Sequence, residues 1–155
     1  MYPPASATPV SVSSANAANI NVVLPKISGA TYHAVTPYRV LDSRYGTGGT
    51  IFHSRTKQTV TIATAASKVP ATAVAVVGNV TVTGQTKLGY VTLAPSLTSG
   101  VQPPTSTMNF PVGDNRVNGV TLPLAAGGKL DFMYWAATTA DTVQILFDVT
   151  GYFTK

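Results

Sequence analysis

Between Thr31 and Val149 the chain is cut into short runs of β-branched and aromatic residues by glycine and proline, and no stretch keeps a helical period. The runs are Thr31–Val35, Tyr38–Asp42, Thr59–Ile62, Ala73–Val77, Asn79–Thr83, Gly89–Leu93, Thr107–Phe110, Val117–Leu124, Lys129–Trp135 and Thr142–Val149. Within them, Thr59-Val60-Thr61-Ile62 alternates polar and apolar, as a strand with one buried face does. Pro37, the Gly46–Gly49 loop, Pro70, Gly84 and the Pro95–Pro104 stretch mark the breaks, and Ala63–Ala66 has room for one helical turn. About nine short strands at this spacing predict an all-β fold. The expected architecture is a single antiparallel β-sandwich over residues 29–155, with jelly-roll or Greek-key crossings.

Composition agrees. Charged residues make up 10% of the 155, hydrophobic residues 45%, and all five acids are Asp. A core is affordable at this length, and disorder throughout is not expected. The net charge of +5 comes from ten scattered Lys and Arg, with Arg55 and Lys57 the nearest to a cluster. Nucleic-acid binders concentrate such charge on one face, so no nucleic-acid partner is expected. With no Cys, disulfides and thiolate metal sites are excluded. No apolar run is long enough to cross a bilayer, and the residues after Met1 lack the basic and apolar regions of a signal peptide.

Residues 1–28 differ from the rest. Pro3, Pro4, Pro9 and Pro25 punctuate Ala, Ser, Val and Asn, and the first charge is Lys26. This reads as an extended N-terminal arm. The alternative is a solvated tail, which Val22, Val23 and Leu24 suit poorly. The expectation is that these three anchor the arm on a neighbouring subunit, in the manner of strand addition.

Few residues invite chemistry. Asp42 lies between Arg39 and Arg44, ahead of Gly46, Gly48 and Gly49. A phosphate-cradling loop needs a helix N-terminus behind it, and none is expected. Asp42 therefore reads as the acceptor of a structural clasp, with Arg39, Arg44 and Arg116 as its candidate partners. His33 or His53 with Ser43 and Asp42 spells a triad on paper only, and no Gly-x-Ser-x-Gly motif accompanies them. The carboxylates are too dispersed for a calcium loop. No catalytic residue, metal site or cofactor is expected. Tyr45, Tyr90 and Trp135 are candidate sugar-stacking aromatics, although core and interface packing is the simpler reading of most aromatic residues here.

Several ordered blocks resemble a known family. Tyr38-Arg39-Val40-Leu41-Asp42-Ser43-Arg44 is similar to the Arg-Val-Leu-Asp-Thr-Arg signature of β-domains found on bacterial surfaces and in phage virions, with Ser43 in place of Thr. Ala73–Gly84, Gly89–Leu93, Ser106–Phe110 and Asp148–Phe153 follow the same pattern in order. The resemblance covers about Thr31 to Phe153 and brings no catalytic residues with it. It implies a surface role and no particular ligand. The compact single domain, the start at Met1 without signal-peptide features and the arm favour a non-enzymatic structural protein on the outside of a large assembly: a phage virion component such as a capsid decoration or tail-associated subunit. The expected partners are further copies of the chain or a carrier such as a capsid or tail subunit, at the virion surface. The alternative is an extracellular, cell-surface adhesion or carbohydrate-binding module that takes a surface glycan.

Overall fold

The computed structural model describes residues 29–155, and the arm with Val22, Val23 and Leu24 lies outside them. Nine strands follow in order: β1 (Thr31–Asp42), β2 (Phe52–His53), β3 (Lys57–Thr61), β4 (Ala75–Thr83), β5 (Gly89–Ala94), β6 (Met108–Phe110), β7 (Arg116–Pro123), β8 (Lys129–Trp135) and β9 (Thr142–Thr154). They form two antiparallel sheets. One has the order β1-β9-β4-β7, with β2 beside the start of β9, and the other has the order β3-β8-β5-β6. Apart from β1/β2 and β5/β6, successive strands lie in different sheets, so the chain keeps crossing the sandwich. Setting aside the short β2, this is the strand order of a jelly roll, which settles the crossing pattern that periodicity left open.

Alternation builds the core. On β4, Val76, Val80 and Val82 face inward, and Val77, Asn79 and Thr81 face outward. Their inward partners include Leu41, Phe52, Val60, Leu130, Phe132, Tyr134, Ile145 and Phe147. The Phe132 ring meets Phe147 edge-on at 5.5 Å and tilts against Phe52 at 6.3 Å, so aromatic contacts bridge the two sheets.

Several readings differ from the sequence expectation, and β9 runs past the expected Val149 to Thr154. The runs on either side of Pro37 are one strand, β1, because this strand is a sheet edge and pairs only with β9. The missing N–H of Pro37 is tolerated there, with a register shift between Ala34 and Tyr38. The runs on either side of Gly78 are likewise one strand, β4, in unbroken register with β7; the bulge opposite Val77 and Gly78 lies in β9, where Thr150 is the extra residue. The Ala63–Ala66 stretch makes no helix, and its last two residues open a turn over residues 65–68.

The outer face of the second sheet is also covered. Asp131 and Met133 on β8 and Thr92 on β5 point away from the core yet are buried. The connection between Ala94 and Met108 lies over them as a strap. Its Leu97 N–H donates to Asp131 Oδ2 (2.9 Å), its Thr105 carbonyl accepts from Thr92 Oγ1 (2.7 Å), and its Ser99 hydroxyl accepts from the Lys57 N–H (3.1 Å).

Candidate functional site

The Arg-Val-Leu-Asp-Ser-Arg stretch ends β1 in a polar clasp. Asp42 is 3% exposed, and the Arg44 guanidinium grips its carboxylate through Nε (2.9 Å) and Nη2 (2.7 Å). The Arg44 backbone N–H adds a third bond (3.2 Å) and Arg39 Nη1 a fourth (3.3 Å). Arg39 spends its main fork on Asp148 of β9, with two bonds of 2.8 Å. The hydrogen bonds from Arg44 hold the Asp42 carboxyl below the usual carboxylate range, against burial, which would raise it. Bonding to Asp148 raises the Arg39 pKa in turn. The Asp42 backbone closes the following turn by exchanging bonds with Thr47. Gly48 completes that turn at φ +69, where a Cβ would collide with the Val40 carbonyl.

Arg116 does not belong to this clasp. It stands on β7, at the opposite edge of the sheet from β1, and pairs with Asp114 and the Asn109 carbonyl. Sequence spacing does not show which strands become neighbours, so Arg116 could not be placed by it. A second clasp takes the buried position instead. Asp131, 3% exposed, accepts from Lys57 Nζ (2.8 Å), Thr59 Oγ1 (2.5 Å) and the Leu97 N–H. Burial pushes its carboxyl up, and these donors outweigh burial to bring it below the ordinary range. A lone Asp inside the apolar run Leu130–Trp135 was the available signal, since a buried charge needs a partner.

The triad drawn from sequence does not assemble. His33 sits beside Tyr152 and His53 beside Thr142, so roughly 33 Å of β9 separates them at ~3.3 Å per residue. The Ser43 hydroxyl donates to Gln144 and accepts from the Ile145 N–H. Among the described residues, no three His or Asp side chains come together as metal ligands would.

A cleft of about 550 Å³ opens where β5 begins and β8 ends. Tyr90 and Trp135 are register partners on these strands and both line it. Arg55 packs its guanidinium over the Trp135 ring, 5.2 Å from the centroid, and donates to the Ala137 carbonyl. Arg55 also holds a left-handed backbone at φ 68, which is uncommon for a residue with a Cβ. Lys87 and Leu88 form the opposite wall, with Leu88 70% exposed. The Tyr134 hydroxyl anchors that wall by donating to the Lys87 carbonyl (2.7 Å), while burial and the Asp141 charge push its pKa up to about 12. Gly89 lets the two strands close up, because a Cβ there would strike the Trp135 carbonyl. A second hollow, past Leu88 and Tyr90, reaches Phe110 and Arg116. Tyr45 lines neither hollow; it stands 79% exposed on the β1–β2 turn, with Arg44 over its ring at 5.1 Å. Ring faces, an apolar wall and cations equip this cleft for binding.

No protein-family model matches the chain, and no curated protein matches it. Its role is therefore argued from its own residues. The blocks that carry the family resemblance fall on strands of one framework. β1 and β9 are paired neighbours joined by Arg39 and Asp148, β4 lies against β9, and β5 pairs with β6 in the facing sheet.

Proposed function

We propose that the chain is a non-enzymatic structural subunit displayed on the surface of a large assembly, a phage virion component such as a capsid decoration or tail-associated protein. The observation that carries this reading is where the carboxylates are spent. Asp42, Asp114, Asp131 and Asp148 are in ion pairs, and Asp141 accepts from the Thr138 N–H at 2.7 Å. With every acid of the chain committed to holding strands and turns, what remains for function is surface. The resemblance to surface and virion β-domains supports a surface role, which this reading shares with the second one below. Localisation on a virion surface and contact with further copies or a carrier belong to this reading.

A second reading has an observation of its own. Tyr90 and Trp135 side by side, with Arg55 and Lys87 around them, suit a surface glycan, as in a cell-surface adhesion or carbohydrate-binding module. Light scattering over a wide concentration range separates the two. A closed oligomer or filament is the expected result. A monomer throughout, with glycan retention that Trp135→Ala abolishes, overturns the structural reading in favour of the second.

A further inference from the structure

A β-sandwich has open edges, and natural proteins guard them with charge, proline, bulges or brevity. Three edges here are guarded. β1 carries Pro37, Arg39 and two register shifts. β3 is five residues long and begins with Lys57. β6 has three residues, and its backbone is capped from β7 by Asn118 Nδ2 on the Thr107 carbonyl (3.0 Å) and Arg116 Nη1 on the Asn109 carbonyl (2.7 Å).

β7 carries such guards only at its two ends, Arg116 and Pro123. It runs eight residues in unbroken register with β4, and after Arg116 it carries no charge and no proline before Pro123. Val117 is 63% exposed, and the inward Val120 and Leu122 are only half-covered. Leu124 N–H donates to the Val74 carbonyl. The two-residue alternation of an antiparallel ladder, counted from there, turns the N–H and C=O groups of Val117, Gly119 and Thr121 away from β4. Among the described residues, no strand lies beyond β7.

We infer that β7 receives the segment Asn19–Leu24 from the arm of a second copy of this chain, added as a further strand. This rests on the reading of the chain as an assembly subunit. The segment is uncharged, and its Ile20, Val22 and Leu24 alternate with Asn19, Asn21 and Val23. One face of the added strand would thus continue the apolar row of Val120 and Leu122, and the other would stay at the surface. Reach favours exchange between copies. β1 and β7 are opposite edges of the sheet, so a strand beyond β7 lies four spacings from β1, roughly 19 Å at ~4.8 Å each. The seven residues from Leu24 to Thr31 span at most ~24 Å when fully extended, which leaves little slack for a turn around the sheet end.

Residue-resolved hydrogen exchange on the full chain, above and below its assembly concentration, tests this. The amides of Val117, Gly119 and Thr121 should exchange about tenfold or more slowly in the assembled protein and lose that protection on dilution. Thr121→Pro removes an N–H that β4 does not use, so it should disperse the assembly while leaving the melting temperature near that of the unaltered chain. Val22→Lys should do the same from the donor side, and it carries the test if Thr121→Pro fails to fold. An oligomer whose three amides exchange freely overturns the inference and leaves the assembly reading standing. Protection that persists in a monomer assigns β7 to the chain's own arm and overturns exchange between copies. A monomer with free exchange at every concentration overturns both.

Discussion

Asp42 and Asp131 are the two residues on which the sandwich depends most for its polar order. Each carboxylate is buried and holds a cation and a backbone N–H from its own end of the structure. Asp42→Ala should cost about 2–3 kcal/mol, less than the ~3–5 of a fully buried pair, because Arg39 and Arg44 are partly exposed and screened. Urea unfolding measures this, and Arg116→Ala should leave the Asp42 clasp untouched. The two carboxyls have folded pKa values below their ordinary ones, so their stabilisation is complete above the unfolded carboxylate pKa of about 4. It is lost as pH falls through the lowered folded values. The melting temperature should therefore hold from neutral pH to about 5 and drop on further acidification. Asp42→Asn with Asp131→Asn should flatten that drop; an unchanged profile would show that other groups govern it. The first clasp was legible because Asp42 and its two arginines are neighbours in sequence. The second was not, since Lys57, Leu97 and Asp131 meet only when the strap crosses the sheet.

Strands were legible where the pattern had period two and misjudged where pairing overrode local chemistry. Pro37 and Gly78 separate runs in the sequence, yet an edge position absorbs the one, and the other lies inside a continuous strand where a Cβ would strike the Asp148 carbonyl. β2, two residues long, offered no pattern to find. The cleft shows the same limit. Tyr90 and Trp135 could be named as aromatics, but Arg55, Lys87 and Leu88 join them only through loops that packing brings together. Its walls also depend on the close approach of β5 and β8. Gly89→Ala should shift the Trp135 backbone and cost about 1–3 kcal/mol, the range for overpacking. Thermal unfolding reads that loss, and a variant as stable as the parent would mean the strands can part without penalty.

For the whole molecule, folding and the proposed assembly fall to different parts of the chain. The described sandwich has its own continuous core of buried residues from both sheets. Under the proposed function, assembly falls to the arm and to the surfaces it meets. The sequence changes composition near residue 28, where the proposed division falls, while the choice of β7 over the other edges required knowing which strands stand at the rim. The most direct test compares the solution mass of the intact chain with that of a truncation beginning at Ser28, with melting temperature as the control. The account predicts that both melt within a few degrees of each other, that the intact chain forms a defined oligomer, and that the truncation is a monomer. A truncation that assembles to the same mass as the intact chain would contradict it, because assembly would then rest on the sandwich alone.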